Sequence, residues 1–157
     1  MLDLQFELLD RSNRIRGTVR LLRLLTALDA AYVPPISSMT DLPAYCDKLV
    51  THAEVLIVTH DGNDIGYIAF YANDEAQRYA FLSAVAVKPD YHGRGIGASL
   101  LCQAMARAKD KGMERMRLEV RQLNHAAVSL YRKFEFNEVD RSAESERSGW
   151  LIMERVI

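Results

Sequence analysis

The sequence is short of several things. It has two cysteines, Cys46 and Cys102, in 157 residues. That is too few for a disulfide framework or a four-cysteine zinc site. It has little excess charge, with 20 basic residues against 21 acidic ones and a formal charge of −1. That balance gives no reason to expect nucleic acid or an anionic membrane as a partner. No apolar run approaches the roughly 20 residues that span a bilayer. The opening MLDLQFELLD carries Asp3 and Glu7 and lacks the basic region and apolar run of a signal peptide. The expectation is a protein of a reducing compartment, most simply the cytoplasm. The four histidines form no metal-ligand pattern, so no metal is expected. Glycines number eight, and three of them, Gly93, Gly95 and Gly97, fall within five residues.

What remains is ordinary globular material, 49% apolar and 26% charged. The length fits one domain over 1–157, large enough to bury roughly 70% of its unfolded surface. Leu2 to Leu9 alternates as a strand, and Leu21, Leu22, Leu24, Leu25 and Leu28 recur at helical spacing within Val19–Ala31. Pro34 and Pro35 break that helix; Thr40 or Asp41 can cap a second one, with Pro43 in its first turn, running to about His52. Strands follow at Glu54–Thr59 and Asp64–Tyr71, separated by the hairpin signal His60-Asp61-Gly62-Asn63. Tyr79–Val87 is a near-continuous apolar strand, as at the centre of a sheet. After the glycines comes a helix stopped by Gly112, then a strand at Met116–Val120 and a helix at His125–Lys133. Strands at Phe136–Asp140 and Trp150–Val156, joined by the polar loop Ser142–Ser148, close the chain. The methionines, Cys46 and Cys102 read as core. The order predicts an α/β fold, a mixed sheet of about seven strands flanked by about four helices.

The strand end Val85-Ala86-Val87 runs through Lys88-Pro89-Asp90-Tyr91 into His92-Gly93-Arg94-Gly95-Ile96-Gly97 and then a helix. Glycines let successive backbone N–H groups converge on one anion, and the helix N-terminus adds free donors and about half a positive charge. Such a loop can cradle a phosphate or pyrophosphate, with Arg94 or His92 as side-chain donors. It can equally be a tight strand-to-helix turn. It is neither a P-loop nor a G-x-G-x-x-G fingerprint.

With Asn124, Ala127, Tyr131 and Phe136 downstream, the segment Asp64–Asp140 resembles the GNAT superfamily of N-acetyltransferases. The run Leu118–Val139 is similar to ribosomal-protein alanine N-acetyltransferases. The resemblance implies a mostly antiparallel sheet splayed in the middle. It implies acetyl-CoA held by the backbone of Val85, Ala86 and Val87 along the pantetheine arm and by His92, Gly93, Arg94, Gly95, Ile96 and Gly97 at the pyrophosphate. It further implies Asn124 on the cofactor arm, Tyr131 as general acid toward the departing thiolate, Glu119 as base, and a homodimer at the family level. Two positions depart from the family: His92 stands where Arg or Gln is common, and Glu135 where Gly is favoured.

Each residue has a plainer reading. Tyr131 lies on its helix's apolar stripe and can be a core tyrosine. Glu119 can be a solvated sheet edge or pair with Arg117 or Arg121. Asn124 can simply cap a helix. Neither cysteine has a neighbouring histidine in sequence, which favours direct transfer over a covalent enzyme intermediate. Acceptor candidates are the Tyr32–Ser38 loop, Tyr45, Tyr71 to Asp74 and the Ser142–Ser148 loop. The expected function is acetyl-CoA-dependent transfer to a primary amine, most simply of a small molecule. Protein N-termini or lysines are the alternative acceptors, and a non-catalytic acyl-CoA sensor is the alternative class.

Overall fold

A computed structural model describes residues 2–32, 34–140 and 148–157. In chain order the elements are β1 (Leu4–Leu8), α1 (Arg14–Leu28), α2 (Leu42–His52), β2 (Glu54–His60), β3 (Asn63–Tyr71), β4 (Tyr79–Val87), α3 (Ile96–Asp110), β5 (Arg115–Arg121), α4 (His125–Lys133), β6 (Asn137–Asp140) and β7 (Trp150–Val156). Seven strands make one sheet in the order β1-β2-β3-β4-β5-β7-β6. β4 and β5 pair in parallel; β1–β2, β2–β3, β5–β7 and β6–β7 are antiparallel. The fold class expected from the sequence is the one found. The chain sorts into two compact units, Met1–Phe70 with Ala84–Ala104 and Tyr71–Ser83 with Met105–Ile157.

In the first unit α1 buries Leu21, Leu24, Leu25 and Leu28, and α2 buries Cys46, Leu49 and Val50. Asp41 caps α2, its side chain accepting from the Ala44 N–H. α1 starts at Arg14, five residues before the expected Val19, because Asn13 caps it. Arg20 ties three elements together. It reaches Glu7 of β1 at 2.7 Å and Asp64 of β3 at 2.9 and 3.0 Å. The turn between β2 and β3 has Asp61 and Gly62 both at positive φ, 50° and 76°, the pattern of a two-residue hairpin whose twist matches its strands. Gly66 is the glycine that space demands. A Cβ there would lie 2.7 Å from the Ala86 carbonyl oxygen and 3.2 Å from the Val87 Cα. A lone glycine inside a strand buried over six successive residues marks close backbone approach.

In the second unit β4 pairs with β5 over four residues, Tyr79↔Arg115 to Leu82↔Leu118, and the ladder goes no further. β5 then pairs along its whole length with β7, Arg115↔Val156 to Arg121↔Trp150. Alternate residues of β5, Met116, Leu118 and Val120, are buried.

α3 and α4 end alike. The Met113 N–H reaches the Ala108 carbonyl (3.0 Å) and the Gly112 N–H that of Lys109 (2.9 Å). The Phe136 N–H reaches the Tyr131 carbonyl (3.0 Å) and the Glu135 N–H that of Arg132 (2.9 Å). Both are Schellman caps with one residue in the left-handed region, Gly112 at φ 87° and Glu135 at φ 65°. Glutamate there costs about 1 kcal/mol that glycine does not. The cap also explains why β6 starts at Asn137: Phe136 spends its N–H closing α4.

Two expectations are corrected. Cys102 is exposed, because α3 turns Leu100, Leu101, Ala104 and Ala108 inward and residue 102 falls outside that stripe. Met39, expected in the core, is 55% exposed at the end of a short turn. The part of the expected acceptor loop at residues 142–147 lies outside the described residues. Among the described residues no helix is long and apolar enough to cross a membrane.

Gly66→Ala should lose about 2 kcal/mol of stability, since the added methyl meets backbone that cannot step aside. Urea unfolding reads this; an unchanged midpoint would show that β3 and β4 can separate there.

Candidate active site

The glycine loop is held from behind. As β4 ends, the Lys88 N–H donates to the Ile65 carbonyl at 2.8 Å. A short turn at Pro89–Tyr91 follows. His92 folds back, its Nε2–H donating to the Val87 carbonyl at 2.6 Å. That edge of the ring therefore closes the loop onto the strand it leaves. The Tyr91 hydroxyl lies 3.1 Å from His60 Nδ1, and the two rings meet edge-on at 5.6 Å. The Arg94 guanidinium stands 5.5 Å from the Tyr91 ring centre. None of these contacts had a signal in residue spacing.

Gly93 and Gly95 are in the left-handed region, at φ 75° and 76°, and nothing lies within 4 Å of where their Cβ atoms would be. The loop thus offers open space beside glycine backbone. The Ser99 N–H donates to the Gly95 carbonyl at 3.0 Å, so the N–H groups of Ile96, Gly97 and Ala98 precede the first intrahelical bond of α3. Left-handed glycines, free donors and a fifteen-residue helix behind them suit a pyrophosphate. Gly97 lies inside α3 and has no left-handed φ.

Glu119, Asn124 and Tyr131 lie in the second unit. Glu119 is exposed on β5, opposite Ile152, on the face away from Leu118 and Val120. Glu119 lies one residue past the last β4–β5 pair, so at that position β5 is laddered to β7 alone. Arg117 is taken by Glu154, to which its Nε and Nη2 donate at 2.9 and 2.7 Å, and it stacks 4.9 Å over Tyr79. Arg121 lies 4.6 Å over the Trp150 ring. Asn124 caps α4, its Oδ1 accepting from the Ala127 N–H at 3.2 Å, which leaves its amide N–H donors for another use.

Tyr131 is 7% exposed, and burial pushes its phenol up to about 12. It therefore keeps its proton at any physiological pH. Its ring meets Phe136 edge-on at 5.8 Å, and no hydrogen bond joins its hydroxyl to another described residue. The structure thus groups Val85–Val87 and His92–Gly97 in one unit and Glu119, Asn124 and Tyr131 in the other.

Among the acceptor candidates, Tyr32 bonds the hydroxyl of fully buried Tyr67 at 3.2 Å. Asp74 serves its own turn, accepting from the Gln77 and Arg78 N–H groups. Burial pushes the Cys46 thiol up to about 11, which removes it as a nucleophile at neutral pH. Among the described residues no three His, Cys, Asp or Glu side chains are placed to hold a metal ion.

A parallel strand pair joined through a glycine loop and a helix, in a sheet whose β1–β2, β2–β3, β5–β7 and β6–β7 pairs are antiparallel, defines an α/β protein. The model of the Acetyltransferase (GNAT) family matches residues 21–136, and the chain belongs to that family. It is similar to the ribosomal protein bS18-alanine N-acetyltransferase of Haemophilus influenzae, 44% identical over 61 residues, 39% of this chain and 41% of that one. It is 31% identical to the thialysine N-epsilon-acetyltransferase of Bos taurus over 88 residues, 55% of this chain and 49% of that one. The PaiA N-acetyltransferase of Thermoplasma acidophilum, solved with coenzyme A, shares the fold at a TM-score of 0.71 and 18% identity, over 99% of this chain and 100% of that one. The chain spans about half the length of the curated relatives it matches.

Gly93→Ala and Gly95→Ala should each lower stability by about 1 kcal/mol. Gly97→Ala, inside a helix, should raise it or leave it unchanged. Chemical denaturation of the three variants decides this, and equal losses at all three positions would contradict the loop geometry.

Proposed function

We propose that residues 1–157 work as one acetyl-CoA-dependent N-acetyltransferase domain that passes the acetyl group directly to a primary amine of a small molecule. The observation that carries the reading is the pair of left-handed glycines opening α3. In this reading the free N–H groups there take the pyrophosphate. His92 shapes the loop and Arg94 adds charge beside it. The backbone of Val85, Ala86 and Val87, beyond the last β4–β5 pair, takes the pantetheine arm as an added strand. The amide of Asn124 takes a polar group of the same arm.

The acceptor nitrogen must be neutral to attack. Amines of pKa about 10 are mostly protonated at pH 7, so a base is needed. Glu119 fills that role, directly or through a water, and its exposure keeps it open to an incoming ammonium group. Nitrogen forms the amide bond to the acetyl carbon, the carbon–sulfur bond breaks, and coenzyme A leaves as a thiolate. Tyr131 donates to that sulfur. Full transfer from a phenol at about 12 to a thiol of roughly 8.5 is uphill by roughly 5 kcal/mol. The hydroxyl therefore acts first as a hydrogen-bond donor. The ammonium gives up two protons on becoming an amide: one passes through Glu119 to solvent before attack, and the second, lost as the amide forms, balances the one the sulfur finally carries.

The cytoplasm fits this chemistry, since the chain keeps two free cysteines. A homodimer belongs to the reading, and Ile15 and Val19, one turn apart on α1 and 80% and 46% exposed, offer it apolar surface. Sedimentation at twice the 17.8 kDa chain mass would support it; a monomer at micromolar concentration would remove it. The relative named for ribosomal protein bS18 favours a second acceptor class, a protein N-terminus.

Tyr131→Phe should lower kcat by about 100-fold or more while acetyl-CoA affinity stays within about twofold. Wild-type kcat should not fall between pH 8 and 10 through loss of the Tyr131 proton. Glu119→Gln should lower kcat while acetyl-CoA affinity stays within about twofold. The deciding experiment is a free-thiol assay over small amines and peptides starting with alanine. Acetyl-CoA binding with no transfer to any amine would replace this reading with that of a sensor.

A further inference from the structure

We propose that Phe136, set in place by the left-handed cap at Glu135, is the positioning residue that aims Tyr131. The inference rests on the reading of Tyr131 as the acid.

α4 has nine residues, too few to be stable alone, so its ends decide where its side chains point. At the C-terminal end one residue holds Tyr131 twice. The Phe136 N–H donates to the Tyr131 carbonyl at 3.0 Å, and the Phe136 ring meets the Tyr131 ring at 5.8 Å with the planes 62° apart. Phe136 is itself 1% exposed and leads directly into β6, which pairs with β7. The hold on Tyr131 is thereby passed to the sheet.

No hydrogen bond joins the Tyr131 hydroxyl to another described residue, so no polar contact among them steers it. Packing then fixes the direction of the Cα-to-hydroxyl axis, and the Phe136 ring edge is the aromatic contact that supplies it. The geometry depends on the turn at Glu135. Only a left-handed residue there swings Phe136 back over the last turn of α4. At the end of α3 the same turn is made by Gly112. At α4 it is made by a glutamate, whose carboxylate also stands at the negative end of the helix dipole. The turn is thus kept at a position where the residue itself opposes it.

The test is a double-mutant cycle with full-length enzyme, crossing Tyr131→Phe with Phe136→Leu, read by kcat at saturating acetyl-CoA and an amine the wild type accepts. Leucine keeps a buried apolar side chain but removes the ring edge. Phe136→Leu should lower kcat about tenfold with acetyl-CoA affinity, by calorimetry, within about twofold. In the Tyr131→Phe background it should cost less than about twofold, because nothing is left to aim. An equal factor in both backgrounds would mean that Phe136 acts on the fold in general and would overturn the proposal. So would an unchanged kcat in Phe136→Leu beside an impaired Tyr131→Phe. An unimpaired Tyr131→Phe would instead sink the acid assignment, and the positioning role with it. Independently of turnover, tyrosine-labelled NMR should show the Tyr131 phenol titrating lower in Phe136→Leu than in wild type. Glu135→Gly, which keeps the turn, should raise the melting temperature and leave kcat unchanged; a lower kcat would mean the carboxylate itself takes part.

Discussion

The parallel pairing of β4 with β5 is the constraint on which the rest depends. Two parallel neighbours cannot be joined by a hairpin, so the chain must cross over, and here the crossover is α3. A crossover helix begins near the C-terminal end of the strand it leaves. Its unsatisfied N–H groups therefore gather where β4 runs out. The pairing ends after four residues, at Leu82 and Leu118, which leaves the last residues of β4 outside that ladder. Backbone polar groups that lose a strand partner must find another. Strand end, glycine loop and helix N-terminus follow from one topological choice.

Much of this was legible in the sequence because it is local. Asp61-Gly62 specifies its turn, Asp41 and Asn124 their caps, and Gly93 and Gly95 their left-handed backbone, each within a few residues. The boundaries of β4, α4 and β7 followed from apolar patterning for the same reason. What was not legible depends on residues far apart in the chain. Nothing near Arg117 announces that Glu154 takes it, 37 residues away. Nothing near Tyr91 announces His60. Cys102 follows Leu100 and Leu101 directly, and adjacency in sequence does not say which residues of a helix turn inward. Gly66 was passed over because its neighbour, the Ala86 carbonyl, belongs to another strand.

The two helix caps show how a fold tolerates a local mismatch. The cap hydrogen bonds and the burial of Phe136 are collective, whereas the strain at Glu135 belongs to one residue. A penalty of about 1 kcal/mol is small beside the burial of a large aromatic side chain, so the turn forms regardless. Glycine at that position is a convenience of the fold and not a requirement.

The backing of the glycine loop bears on how strongly a ligand can be held. His92 is bonded to Val87, Tyr91 to His60, and Arg94 stacks on Tyr91. A loop already braced in this way has little conformational freedom left to surrender when an anion arrives. The free energy of each new hydrogen bond is then expressed as affinity and not consumed in ordering the chain. Association with such a loop is expected to show a modest entropic penalty and a fast, single-step approach, the behaviour of a receptor assembled before its ligand comes.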